Sequence, residues 1–118
     1  MDQQKCTGWW EQNFVGRHDM KGLMVTIDGN KISGSGFDVV GTFTFEGTLE
    51  DNNDVFMVKQ YLGQHTVRYK GEYNGRDHMW GVWSLSWDQG PWEIRLTEAS
   101  SEQEKNKKKQ VVKNMLFV

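Results

Sequence analysis

Three runs of alternating apolar and polar residues follow one another between Val55 and Trp87, VFMVKQYLGQHTVRYKGEYNGRDHMWGVWSLSW. Only turn-sized punctuation separates them, at Gly63 and at Asn74-Gly75. Side chains on a strand alternate faces with a period of two, so these runs predict a three-stranded antiparallel meander. In the middle run His65, Val67, Tyr69, Gly71 and Tyr73 share a face, and in the last Met79, Gly81, Trp83, Leu85 and Trp87 do. The first run is ambiguous, because Phe56, Val58 and Gln60 compete with Val55, Met57, Lys59 and Tyr61 for the inner face.

The same pattern extends in both directions. Residues 7–14, TGWWEQNF, predict a first strand with Gly8, Trp10 and Phe14 on one face, followed by a loop over Val15–Asp19. Residues 20–27 predict a second, with Leu23, Val25 and Ile27 together, ended by the hairpin residues Asp28-Gly29-Asn30. Residues 31–36 read as a short glycine-bent strand. The stretch VVGTFTFEGTLE alternates most cleanly, with Gly41, Phe43, Phe45, Gly47 and Leu49 inward. Asp51–Asp54 is a polar turn, and after Asp88-Gln89-Gly90 a last strand turns Trp92, Ile94 and Leu96 inward.

Eight strands with short links and one apolar face predict an all-β fold: an eight-stranded antiparallel up-and-down (meander) barrel over residues 1–99. Closure removes the sheet's own edges. A two-sheet sandwich is the rival, but it needs a long crossover connection that the spacing does not offer. The glycines are spread through the alternating runs, where they suit the bends of a closed sheet. From Ser100 the pattern changes. Ser101 to Glu104 fits a capping box, and Val111, Val112, Met115, Leu116 and Val118 fit one helical face. Residues 100–118 therefore read as a charged, partly amphipathic tail whose end docks on the barrel or on another protein.

Charge narrows the choice of partners. Fourteen basic against sixteen acidic residues leave no global field to gather nucleic acid. The KNKKK run at 105–109 is blunted by Glu102 and Glu104 and reads as a solvated spacer. Cys6 is the single cysteine, so no intrachain disulfide forms. With no signal-type segment at MDQQKCTG, the expected setting is intracellular and reducing, cytoplasmic first, with organellar import open. No apolar run approaches the roughly 18–20 residues that span a bilayer.

Candidate chemistry is sparse. Asp38, Lys59, Tyr61, His65 and Tyr69 could converge inside the barrel for proton transfer. Alternatively Lys59 lies outside, or pairs with a carboxylate as a structural plug. Cys6, His18, His65 and His78 lack metal-ligand spacing, and Asp51–Asp54 lacks the glycine and distal glutamate of a calcium loop, so neither a metal nor a cofactor is expected. The aromatic set offers two readings. Trp10, Phe43, Phe45, Tyr61, His65, Tyr69, Trp83 and Trp92 could line a ligand cavity, or rings of this kind could simply fill the core. Trp9, Trp80 and Trp87 are harder to place inside, and Trp80 and Trp87 suit anchors for a protein partner.

Gly8-x-Trp10, the eight hairpin-linked strands and the carboxy-terminal segment together resemble the calycin group: lipocalins, fatty-acid-binding proteins and avidins. That resemblance implies a small barrel able to carry a small hydrophobic ligand. The first functional expectation is a non-enzymatic interaction protein, a barrel subunit docked in a larger assembly through Trp80, Trp87, Val111, Val112, Met115 and Leu116. The alternative is an intracellular carrier of a small hydrophobic ligand, and the third a cofactor-free barrel enzyme.

Overall fold

The alternation resolves into eight strands in the computed structural model of the chain, which describes residues 4–96. They are β1 (Gln4–Gln12), β2 (Gly16–Asp28), β3 (Lys31–Phe37), β4 (Thr42–Leu49), β5 (Asp54–Tyr61), β6 (Thr66–Tyr73), β7 (His78–Ser84) and β8 (Gln89–Leu96). Each pairs antiparallel with the next. β8 then returns to β1, with Cys6 opposite Leu96 and Trp10 opposite Trp92, so the meander closes into a barrel. The expected tail and the boundary at residue 99 lie outside the described residues.

One face of every strand is apolar, and closure turns that face inward. Val25, Ile32, Val55, Met79 and Ile94 are all but inaccessible to solvent. Large inner side chains form a continuous column: Tyr61 on Phe43, Phe43 on Phe45 and Phe45 on Tyr69 meet edge-on, and Tyr69 meets Trp92 at a tilt, with ring centroids 5.1–5.8 Å apart. These offset contacts suit the ring quadrupoles. The undecided register of β5 is settled: Val55, Met57, Lys59 and Tyr61 point in, while Phe56 and Val58 are exposed.

Such rings fit only where the wall comes close. Gly71 and Gly81 stand opposite each other on β6 and β7. A Cβ on Gly81 would collide with the Lys70 carbonyl oxygen, and one on Gly71 with the Trp80 carbonyl oxygen. Trp92 is paired with Gly81 and donates from Nε1 to the Lys70 carbonyl oxygen at 3.2 Å, so its indole crosses β7 on the inner side. The thirteen-residue β2 cannot run straight around the wall. Its pairing with β3 shifts between Lys21 and Met24, and Gly22 sits in that gap at φ 57°, a left-handed conformation that costs an ordinary residue about 1–2 kcal/mol.

Three local expectations are corrected. The expected loop over Val15–Asp19 is mostly strand: β2 begins at Gly16, and Arg17 faces Glu11 in the β1 ladder. Its residues are polar on both faces, so no apolar period marks them. Arg17 is held there by Glu11 at 3.2 Å and by the Trp9 ring, 3.7 Å below its guanidinium. Phe14 is not on an inner face. It occupies the β1–β2 turn at φ 67° and is fully exposed. His65 and Trp87 likewise fall in links outside β6 and β7, because backbone turns replace the pleat before their side chains reach the core.

Substituting Gly81→Ala should lower stability by about 2 kcal/mol, the range for an inserted methyl that a packed wall cannot absorb. The urea midpoint should fall. Gly63→Ala, at φ 71° with open space around it, should cost only the backbone strain of about 1–2 kcal/mol and leave the near-ultraviolet spectrum of the rings unchanged.

Candidate functional site

Four links gather at one end of the barrel: residues 13–15, 38–41, 62–65 and 85–88. Two side-chain hydrogen bonds tie neighbouring segments there. Gln64 donates to the Val40 carbonyl oxygen at 3.3 Å, and Gln12 donates to Asp88 at 2.8 Å. Asp38 and Gly41 exchange two backbone hydrogen bonds that tighten the β3–β4 link. That link turns the Asp38 carboxylate inward.

The carboxylate meets Lys59. The lysine side chain is 1 % exposed and that of Asp38 0 %, and Nζ donates to Oδ2 at 2.8 Å. Oδ2 also accepts from Tyr61 Oη at 2.8 Å and Trp10 Nε1 at 3.0 Å, while Oδ1 accepts the Val40 N–H at 2.9 Å. Lys59 Nζ lies 3.2 Å from Tyr69 Oη. The rings of Phe43, Tyr61 and Tyr69 stand 4.3, 4.8 and 5.3 Å from the ammonium. A buried cation survives where an anion and π-faces replace its water.

Burial sets the titration of this group. It pulls the Lys59 ammonium from its ordinary 10.5 down to about 8, against the opposing pull of Asp38. Burial works against the Asp38 carboxylate too, but the Lys59 hydrogen bond and charge, with the Tyr61 and Val40 donors, outweigh it and hold the carboxyl below its ordinary value. Burial first, and the Asp38 charge with it, push both Tyr61 and Tyr69 up. Near neutral pH the pair is therefore ionised and the phenols are not.

Above this pair the described residues leave the interior unfilled. A cavity of about 220 Å3 opens at the mouth, walled by Trp10, Val40, Tyr61, Val67, Tyr69 and Trp83 and rimmed by Gln12, His65, Leu85 and Trp87. Five of the eight residues expected at a ligand site, Trp10, Tyr61, His65, Tyr69 and Trp83, meet here. Phe43, Phe45 and Trp92 do not; they are buried in the core. Of the proton-transfer group, Asp38, Lys59, Tyr61 and Tyr69 converge, whereas His65 stays exposed at the rim with its ring 5.3 Å from Tyr61. Trp87, expected among the partner contacts, is 76 % exposed and forms part of the rim. Trp80 lies on the outer face, 37 % exposed, its ring 4.8 Å from His78. Val111, Val112, Met115 and Leu116 fall outside the described residues.

Gln12, Val40, Val67 and Leu85 also line the cavity but were not among the expected site residues: the pattern placed Val67 and Leu85 on the inner face only as core positions, and Gln12 and Val40 read as ordinary strand and link positions. Among the described residues no cluster of three or more His, Cys, Asp or Glu side chains is placed to hold a metal, and no helix is long and apolar enough to cross a membrane. No protein-family model, curated protein or solved structure matches the chain. What the fold defines is a closed eight-stranded meander barrel, consistent with a calycin-like small barrel, with one cavity-bearing end.

The pair predicts a characteristic pH profile. Between pH 8 and 10.5 the unfolded chain holds a proton on Lys59 that the fold has released, so stability rises with pH across that window. The full displacement corresponds to on the order of 3 kcal/mol. Above about pH 10 the raised phenols of Tyr61 and Tyr69 reverse the slope, because the unfolded chain then sheds protons the fold retains. Below the ordinary Asp38 value of 3.8 the stabilisation from that carboxylate is lost. Urea midpoints across pH should thus peak near pH 10. Lys59→Met should abolish the rise and cost about 3–5 kcal/mol at pH 7, and adding Asp38→Asn should recover most of that loss.

Proposed function

We propose that the protein is a non-enzymatic binder of a small molecule, whose planar apolar part enters the mouth cavity. The cavity itself carries this reading. Its walls are ring faces and methyl groups, and their polar atoms are already engaged: Trp10 and Tyr61 on Asp38, Trp83 Nε1 on the Glu11 carbonyl oxygen at 2.9 Å. Such walls select by shape and apolar contact. An apolar cavity of about 150 Å3 accepts a benzene ring, so this one has room for two fused rings. Eight-stranded barrels are wide enough to hold one small ligand, and the calycin likeness points the same way. The Asp38–Lys59 pair, closed on itself, serves as the polar plug beneath the ligand and not as an acid–base couple.

A neutral bicyclic probe, 2-naphthalenemethanol, should change the tryptophan emission saturably with one site per chain. Val67→Phe, which fills the cavity, should weaken it at least tenfold while leaving the free energy of urea unfolding within about 1 kcal/mol of the parent's. A linear, unsaturated response in the parent protein would remove the reading.

A second reading, a barrel docked in an assembly, is favoured by the outer wall. Phe56, Lys70, Val82 and Pro91 form one row across β5–β8, in which Phe56 and Val82 are exposed, and Trp80 neighbours Val82 on β7. The tail residues Val111, Val112, Met115 and Leu116 would supply the other contact. Deleting residues 100–118 should then leave the barrel's circular dichroism intact and release its co-purifying neighbours. Unchanged co-purification counts against this reading.

A further inference from the structure

The cavity does not stop at its rim. His65, Leu85 and Trp87 border it at the rim and also form one side of an outer groove on the flank of β6 and β7. This groove, of about 460 Å3, is completed by Thr66, Arg68, Ser84 and Ser86. Its chemistry differs from that of the cavity. Hydroxyls and one guanidinium join the shared rings and methyls there, and among the described residues no carboxylate lines either compartment.

Arg68 is the distinctive member. It is exposed, standing between Val58 and Ser84 in the ladders. Among the described residues it makes no hydrogen bond or ion pair. Other arginines on the wall are engaged: Arg17 with Glu11 at 3.2 Å and Arg95 with Glu93 at 3.1 Å. A free guanidinium beside serine and threonine hydroxyls presents the forked donors that fit a carboxylate or phosphate. Trp87 stands at the crossing between the two compartments, where a large exposed ring can cover the link between an apolar group inside and a charged group outside.

We infer that cavity and groove are one site, built for an amphipathic anion. Its planar apolar part lies in the cavity, its linker passes the rim between His65 and Trp87, and its carboxylate or phosphate monoester rests on Arg68. This rests on the cavity reading above and adds the class of ligand.

The test uses a series of naphthyl compounds with one to four methylene spacers ending in an alcohol, a carboxylate or a phosphate. Binding to the full-length protein is read by tryptophan emission and calorimetry. At the spacer that reaches Arg68, an anion should bind about tenfold more tightly than the alcohol, and added salt should erode that advantage. Arg68→Gln, at an exposed position, should keep the parent's urea midpoint and alcohol affinity yet abolish the anion's advantage. Whether carboxylate or phosphate gains more identifies the head group. Equal affinity of alcohol and anions at every spacer overturns the inference and leaves the cavity reading standing. So does an Arg68→Gln variant that weakens alcohol and anion alike. Failure of every compound to bind removes both.

Discussion

A single buried ion pair decides the shape of the cavity-bearing end. Lys59 lies in the middle of a strand whose face looks into a wall of rings, and Asp38 lies in a reversing link. Taking an ammonium out of water costs several kcal/mol unless an anion meets it in good geometry. Among the described residues, the inward turn of the 38–41 link supplies that anion. Once Asp38 is fixed, Trp10 and Tyr61 are fixed by their hydrogen bonds to it, and Tyr69 by its contact with Lys59. The cavity above is the space those three rings leave. A polar contact thus sets the form of an apolar site.

The rest of the barrel is organised differently. Below the pair, close packing of Phe43, Phe45, Tyr69 and Trp92 fills the interior, and the Gly71–Gly81 approach makes room for the last of these. The two regimes meet at Tyr69, which belongs to both the aromatic column and the Lys59 shell. The segments around the cavity are tied by Gln12 and Gln64, so the fold's own hydrogen bonds hold the walls in place.

The meander was legible because period-two alternation with one apolar face leaves few topologies for short links. It failed where that signal vanishes. Residues 16–19 are polar on both faces, and 55–61 are apolar on both except at Lys59 and Gln60. Alternation alone cannot choose between Phe56 and Met57. The choice is made by Asp38, distant in sequence, which makes Lys59 acceptable inside. The convergence of Asp38, Lys59, Tyr61 and Tyr69 was among the candidate groupings, but Trp10 as a donor to Asp38 was not. Val67 and Leu85 were placed on the inner face, yet they and Gln12 and Val40 were missing from the expected cavity lining for a plain reason. A cavity is defined by what neighbouring side chains fail to fill, and no residue type announces that.

Closure also has a kinetic side. Seven ladders join strands that are neighbours along the chain and can zip up as hairpins, whereas the β1–β8 seam joins Cys6 to Leu96 across nearly the whole described length. The entropy of bringing such distant segments together must be met before their contacts reward it. Until then both outermost strands display unpaired amides that another copy could engage. The Trp9–Glu93 hydrogen bond across that seam therefore guards against intermolecular pairing as much as it holds the finished molecule shut.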